Sequence, residues 1–311
     1  MSDGAWVLLA PRQALPVLTP LVRAHAAVRD VVVLPMEALR SRWEDAVPSG
    51  AAGVLLVGAR RRSPQTVLPG LFLEDSAGTA VPVGWLPVTA TLPLAVATAV
   101  LTLERTAPSP VAVLGQREER YLRLAARLEH HLDGVDTVRW TAERVTREDL
   151  LLGLGLGLGL AVYLGHGRPA GWAAYRGLRS EHLSARALEA PLGALLSVTC
   201  WTASRWRVAL SFAESVVLSG GAAASVGAVR PVLHLDSVRL VVRLAAALRS
   251  GPPHLAGLLR EALVVAGRPE PLASQYRICG DPLAPLAAVD GAMKRAHALY
   301  APAADEQLVA S

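Results

Sequence analysis

Two short runs of sequence, AVYLGHG (residues 161–167) and ALLSVTC (residues 194–200), decide the fold that we predict for this 311-residue chain. Each run is apolar, has the length of a strand, and ends at a reactive side chain, His166 in the first and Cys200 in the second. Apolar runs of this kind indicate buried strands of a parallel sheet. Ligands of such sheets bind beyond the carboxyl ends of the strands, so the two runs predict a His and a Cys in one crevice.

This pair of residue types suits nucleophilic attack on a carbonyl carbon. A thiolate is the nucleophile, and a nearby imidazole manages the proton of the thiol or of the leaving group. The developing oxyanion needs backbone N–H donors, for which Gly167 and Cys200 are the candidates. Taken alone, Cys200 would be interpreted as a small core residue. The order of the two strands, one ending in His-Gly and the next in Cys, favours the catalytic interpretation.

The composition excludes several classes of function. Hydrophobic residues make up 52% of the chain and charged residues 18%, which indicates a substantial core and argues against disorder. The net charge of +5 comes from scattered arginines, so we expect no nucleic-acid partner. The alternating Leu-Gly run at residues 151–159 is too short and too rich in glycine to span a membrane. We interpret this run as a connector and expect no membrane partner.

The number of cysteines indicates the kind of cellular compartment. The only two cysteines, Cys200 and Cys279, make no disulfide framework and suit a reducing environment. The first residues lack a basic segment followed by a long apolar one, which predicts no secretion signal and a cytoplasmic location. Cys279 has no histidine nearby in sequence and is interpreted as a packing residue. The histidines lack metal-ligand spacing, so we expect no metal and no other cofactor.

Strands and helices alternate along the chain, which predicts an α/β fold with parallel pairing and right-handed crossovers. Apolar runs predict strands at residues 6–10, 31–34, 54–58, 111–115, 136–140, 223–229 and 276–281. Helical spacing predicts helices at residues 14–28, 89–104, 212–218, 236–248 and 254–266. The segment TAPSP at 106–110 is the best candidate boundary between an N-terminal α/β subdomain (1–106) and a catalytic subdomain (107–311) with the His and the Cys.

Six segments in a fixed order resemble the gingipain family of cysteine peptidases, in the caspase-like clan. They are VLLVGA (54–59), VPVGWLPVTA (81–90), YLGHG (163–167) with Trp172 shortly after it, PLGALLSVTCWTA (191–203), SFAESVVLSGGAAASVGAVRPV (211–232) and YRICGDPLAPL (276–286). Each segment is a weak signal alone. Their order along almost the whole chain makes the resemblance specific.

The resemblance implies a caspase-like three-layer sandwich, in which a mostly parallel sheet is flanked by helices, and it implies endopeptidase activity. It makes His166 the catalytic imidazole and Cys200 the nucleophile, with the N–H groups of Gly167 and Cys200 as oxyanion donors. It also implies one acid that orients the histidine and another that selects a basic P1 residue, both from the loop after residues 111–115. Glu118 and Glu119 are the only acids there, and their roles cannot be separated.

The specificity implied by the resemblance is cleavage after Arg or Lys, because a carboxylate can form a bidentate, charge-assisted pair with a guanidinium. The candidates for the substrate pocket are Trp172, Trp201, Val229 and Arg230. A rival hypothesis is an acidic P1 residue held by Arg230 and the arginines at 60–62. The two glutamates can also be interpreted as solvated acids in the first turn of a helix.

Some positions depart from the family pattern. Trp85 stands where the family has an arginine after Val83-Gly84, and Ala59 stands where it has an acid. Val198 stands two residues before the cysteine, where the caspase signature has a glutamine, which argues against caspase specificity.

Three functions stay open at this point. The first is a cysteine endopeptidase acting on a protein or peptide substrate, with or without an activating partner. The second is a non-catalytic scaffold of the same fold, against which the intact His166 and Cys200 argue. The third is a transpeptidase or ligase, in which an amine instead of water captures the acyl-enzyme.

Overall fold

A computed structural model describes residues 4–40, 42–59, 68–108, 110–142, 144–184 and 190–299. The arginines predicted as rival pocket residues at 60–62 lie outside these described residues. The strands are β1 (Trp6–Ala10), β2 (Val31–Pro35), β3 (Gly53–Ala59), β4 (Phe72–Glu74), β5 (Ala80–Val88), β6 (Val111–Gly115), β7 (Thr137–Thr141), β8 (Leu160–Leu164), β9 (Gly167–Arg168), β10 (Gly171–Trp172), β11 (Leu192–Val198), β12 (Ala222–Ala228), β13 (Val264–Val265), β14 (Arg268–Pro269) and β15 (Tyr276–Gly280). The helices are α1 (Leu15–Ala26), α2 (Leu92–Leu103), α3 (Glu119–His131), α4 (Arg147–Leu154), α5 (Ala174–Gly177), α6 (Ser180–Ser184), α7 (Phe212–Leu218), α8 (His234–Arg249), α9 (Leu255–Leu263) and α10 (Ala292–Ala298).

One large sheet organises the described residues. Its strands follow the order β2-β1-β3-β5-β15-β12-β11-β8-β6-β7, and β4 pairs with β5 beside this path. Along the path every pairing is parallel except the antiparallel pair β12–β15. Strands β1, β6, β8 and β11 are buried along their whole length, which is the pattern of a parallel sheet covered on both faces. The predicted α/β architecture with mostly parallel pairing is therefore observed.

Helices cover the two faces of the sheet, as neighbouring residues of β11 illustrate. Successive side chains of a strand point to opposite faces. Leu195 packs in the cluster that contains Phe212 of α7, whereas Leu196 lies against Leu240 of α8. On the first face α2 contacts α1 and α7, and on the second α8 contacts α3 and α9. The result is three layers with the core on both sides of the sheet.

The sheet is continuous across the predicted subdomain boundary. Strand β15 from the second half pairs with β5 from the first, with Ile278 opposite Gly84. A side chain at Gly84 would overlap the carbonyl oxygen of Gly280, so this close pairing needs glycine at that position. The division into residues 1–106 and 107–311 stays a prediction.

Two local predictions are wrong. The Leu-Gly run is not a connector throughout, because α4 extends to Leu154 after an N-cap in which the N–H of Asp149 donates to Oγ1 of Thr146 at 3.1 Å. Helix α8 begins at His234, two residues before the predicted start at Asp236, which lies in the first turn of the helix. Among the helices of the described ranges, none combines the length and the apolar composition that a bilayer crossing needs.

Candidate active site

Strands β8 and β11 bring His166 and Cys200 to the same edge of the sheet. The two strands are parallel neighbours, with Leu164 opposite Val198. His166 and Cys200 each follow their strand by two residues, so the register of the strands places them side by side beyond the carboxyl ends.

Gly167 lies directly against the cysteine segment. A Cβ atom at this position would overlap the carbonyl oxygen of Cys200 and would lie 2.7 Å from Oγ1 of Thr199. No larger residue fits without moving one of the two strand ends. Glycine here therefore allows the histidine segment and the cysteine segment to come into van der Waals contact.

The His166 side chain is half exposed and has three polar neighbours. Nδ1 lies 3.3 Å from the hydroxyl oxygen of Tyr121, and Nε2 is hydrogen-bonded by Arg120 and lies 3.7 Å from Oε1 of Glu118. An arginine can only donate, so a hydrogen bond from Arg120 requires Nε2 to be the acceptor. The main chain of His166 is fixed as well, because its N–H donates to Oε1 of Gln116 at 3.1 Å.

Glu118 and Glu119 have different surroundings. Glu118 is the N-cap residue of α3, accepts from Nε2 of Gln116 and pairs with Arg120 at 3.1 Å. Glu119 pairs with Arg123 at 2.9 Å on the next turn of the helix, and the two side chains are 80% and 72% exposed. The structure thus places Glu118 beside His166 and Glu119 in solvent.

The Cys200 thiol is half buried and faces the backbone of Val232. The N–H of Val232 donates to Sγ at 3.3 Å, and the carbonyl oxygen of Val232 lies 3.9 Å from the same sulfur. Val232 belongs to the segment between β12 and α8, so the strand next to β11 also contributes to the thiol environment.

The chain turns sharply after the cysteine. Trp201 has a φ of 66°, which is a left-handed conformation that costs a non-glycine residue free energy of order 1–3 kcal/mol. Its ring stacks on Trp206, with centroids 6.1 Å apart, and the guanidinium of Arg207 covers the Trp206 ring. The indole of Trp206 is 51% exposed. Trp201 therefore borders the thiol as part of a partly exposed aromatic pair.

A buried carboxylate anchors the far end of this turn. Glu214 accepts from Nε of Arg205 at 2.9 Å and from Nε1 of Trp85 at 3.1 Å, and it completes a capping box with Ser211 at the start of α7. All four side chains are buried. Trp85, one of the residues that depart from the family pattern, is thus part of the support beneath the segment that follows Cys200.

The other pocket candidates separate into two groups. Trp172 is only 2% exposed, stacks on Tyr163 with centroids 4.0 Å apart, and donates from Nε1 to Ser197 at 3.1 Å. It is a core residue and does not line the crevice, which corrects the sequence prediction. Val229 is half buried and Arg230 is exposed, on the same segment as Val232.

Four contributors to the site were not predicted from the sequence. Gln116, Arg120 and Tyr121 lie in GQREERY (115–121), at the loop after residues 111–115 that was expected to supply the acids, so the same segment contained the signal. Val232 acts through its backbone, and a main-chain group leaves no signal in the residue type.

Comparison with known proteins identifies the class of this fold. The chain aligns with the crystal structure of the Arg-specific cysteine proteinase gingipain R (RgpB) at a TM-score of 0.68 and 14% identity, over 91% of this chain and 78% of that one. The complex of the Porphyromonas gingivalis RgpB pro- and mature domains gives 0.66 and 14% over 90% and 79%. The Saccharomyces cerevisiae separase–securin complex gives 0.50 and 16% over 73% and 15%. The fold is therefore of the caspase-like, gingipain type, as predicted.

The family follows from the sequence itself. The model of peptidase family C25 matches residues 119–287, which is more than half of the chain. The chain belongs to peptidase family C25, the gingipain family, and the predicted resemblance is confirmed. A search among curated proteins found no match.

Proposed function

We propose that this protein is a cysteine endopeptidase in which Cys200 is the nucleophile and His166 is the proton-transfer group. The observation that supports this most strongly is the placement of both residues two positions beyond adjacent parallel strands, with Gly167 against the Cys200 carbonyl. Membership of a peptidase family supports the reaction class. The structural similarity to solved relatives, at low sequence identity, supports the fold alone.

The reaction begins when the thiol of Cys200 loses its proton to His166. The sulfur forms a bond to the carbonyl carbon of the P1 residue, and the electron pair of the C=O double bond moves to the oxygen. The protonated His166 then gives its proton to the amide nitrogen as the C–N bond breaks, which leaves a thioester. Water, deprotonated by His166, attacks the thioester, releases the P1 carboxylate and regenerates the thiol.

Backbone groups and one carboxylate assist these steps in the proposal. The N–H groups of Gly167 and Cys200 stabilise the oxyanion, and the tight contact between their segments fixes the distance between the two donors. Glu118 orients His166, because its Oε1 lies 3.7 Å from Nε2. In the structure Arg120 contacts Nε2 of His166 and Tyr121 contacts Nδ1. One of these two side chains must move away before the free ring nitrogen can accept the thiol proton.

A basic P1 residue was expected from the resemblance to the gingipain family. This preference depends on a carboxylate that is available to a substrate guanidinium. Glu118 is paired with Arg120, and Glu119 is paired with Arg123 and points into solvent. Both ion pairs would have to open for either glutamate to bind an Arg or Lys side chain.

Transpeptidation is the second candidate, because the thioester is the same and only the capturing nucleophile differs. The cytoplasmic location and an activating partner also stay predictions. Two solved relatives are complexes, one of gingipain pro- and mature domains and one of separase with securin. This makes a protein partner at the site of our chain a reasonable hypothesis to test alongside the activity.

The direct test is incubation of the purified protein with a peptide library, followed by mass analysis of the products. We expect hydrolysis products that are absent with the Cys200→Ala variant. Products extended by a second peptide would indicate ligation instead. Turnover by Cys200→Ala at the wild-type rate would rule out the proposed nucleophile.

A further inference from the structure

Arg230 is an exposed guanidinium beside the nucleophile. It precedes Val232 by two residues, so their Cα atoms are at most about 7 Å apart. Val232 contacts the Cys200 sulfur at 3.3 Å. The side chain of a bound P1 residue has to lie next to that sulfur, because the sulfur attacks the P1 carbonyl. The segment with Arg230 therefore borders the P1 position.

Arg230 has a second guanidinium behind it. Arg277, at the start of β15, is 8% exposed, and its hydrogen-bond acceptors among the described residues are the backbone carbonyls of Leu68, Ser274 and Tyr276. Arg230 itself donates to Oγ of Ser274 at 3.0 Å, so the two arginines are held by the same short segment. Burial lowers the pKa of Arg277, and the positive charge of Arg230 lowers it further, which indicates that the two charges interact.

Neither of these two cations is neutralised by the described part of the chain. Among the described residues, no carboxylate lies within 4 Å of Arg230 or of Arg277. The acid of this neighbourhood, Asp236, is engaged by Gln275 at 3.4 Å and by Arg239 at 3.7 Å. Two neighbouring guanidinium groups with only neutral partners repel each other, and an anion between them or beside them would remove that cost.

Other arginines around the crevice of His166 and Cys200 add positive charge. Arg168 follows Gly167 and is exposed, and Arg207 lies exposed on the ring of Trp206. The glutamate of the rim, Glu118, is already paired with Arg120. The field at the crevice is thus positive, which favours the approach of an acidic substrate over a basic one.

We propose that the substrate has an acidic side chain, Asp or Glu, at P1, and that Arg230 binds its carboxylate while Arg277 supports the charge from behind. The inference rests on the proposed function of Cys200 and names the substrate class of the same site. It selects the rival hypothesis of the sequence analysis, although Val198 replaces the glutamine of the caspase signature, on the basis of a guanidinium pair that the sequence does not reveal.

The test uses peptidyl acyloxymethyl ketones that differ only at P1, as Asp, Asn, Arg or Leu, on the full chain. The readout is the second-order rate of Cys200 labelling, measured by mass spectrometry. We expect the Asp probe to react at least about 100-fold faster than the isosteric Asn probe, since a site built for a polar partner rejects the analogue that lacks it. In Arg230→Gln the ratio of the two rates should fall to near one.

Arg249→Gln is the matched control, because Arg249 is an exposed arginine at the opposite end of α8 and should keep the wild-type ratio. Faster labelling by the Arg or Leu probe, or an unchanged Asp-to-Asn ratio in Arg230→Gln, would overturn the acidic P1. Labelling of Cys200 without P1 preference contradicts this inference and leaves the proposed function intact. Failure of every probe to label Cys200 contradicts both.

Discussion

Glu118 and Glu119 are adjacent in sequence, yet only Glu118 has its carboxylate beside His166. We predict that Glu118→Gln lowers kcat by roughly tenfold or more on every substrate, because the amide does not orient the imidazole as the carboxylate does. The measurement is kcat and KM across the pH range. Glu119→Gln is the control and should stay within about twofold of wild type, since the pair with Arg123 is exposed. Equal effects of the two substitutions would contradict the separate roles.

The two cysteines, Cys200 and Cys279, also differ in their surroundings. Cys200 is half buried at the sheet edge, whereas Cys279 is completely buried in β15, where burial raises the pKa of its thiol well above the ordinary value. We predict that a thiol-directed electrophile labels Cys200 and leaves Cys279 unmodified in the folded protein near neutral pH. Peptide mapping by mass spectrometry checks this. Label on Cys279 under native conditions would count against the assignment.

At the scale of the element, the segment that follows Cys200 depends on one buried ion pair. Removal of one partner of such a pair leaves a buried charge and costs about 3–5 kcal/mol. We therefore predict that Glu214→Gln lowers the free energy of unfolding by that amount, as measured by urea denaturation, and slows Cys200 labelling as the segment loosens. Glu270→Gln is the control, because its pair with Arg243 is partly exposed and is worth at most about 1 kcal/mol. A loss of unfolding free energy no larger than that of Glu270→Gln would contradict the anchoring role of Glu214.

The sequence predicted those elements whose pattern is local. Strands β8 and β11 are unbroken apolar runs, and β9 begins with the glycine that contacts Cys200, so the positions of His166 and Cys200 followed from residue type alone. Helix α4 was missed because glycines disfavour a helix in isolation, whereas here Gly153 makes room for the Trp140 ring. Trp172 was misplaced because its position in sequence near His166 does not say which side of the strand it covers.

Long-range partners were beyond the sequence for a different reason. The guanidinium pair of Arg230 and Arg277 joins residues from the ends of two strands, and the anchor of Glu214 includes Trp85 from the first half of the chain. Such contacts depend on the order of the strands in the sheet. Strand β15 lies between β5 and β12, and no local sequence pattern predicts that position.

Across the whole molecule, Asp281 links β1, near the start of the chain, to the end of β15, which lies near the end of the chain. Its carboxylate accepts from Nε1 of Trp6 at 3.1 Å and from the N–H of Leu283 at 3.0 Å, and lies 2.7 Å from Nε2 of His25. Burial alone would raise the pKa of Asp281, but His25 and these hydrogen bonds outweigh it and hold the pKa below the ordinary value.

The sign of the resulting pH dependence follows from linkage. A depressed pKa in the folded state stabilises the protein above the unfolded pKa of about 4, and this contribution is lost as the pH falls further. We predict that the free energy of unfolding of the wild type drops more steeply between pH 6 and pH 3 than that of Asp281→Asn. Urea denaturation at several pH values checks this. Parallel curves for the two proteins would contradict the role of Asp281.

The proposed mechanism requires Cys200 and His166 to act as one catalytic unit. Its most direct test is kcat/KM on a single cleaved peptide for the wild type, Cys200→Ala, His166→Ala and the double variant. We predict that each single substitution lowers kcat/KM by about 10³-fold or more, and that the double variant loses little beyond either one, because the effects of residues that act together are not additive. Losses that multiply in the double variant, or a single variant that retains the wild-type rate, would contradict it.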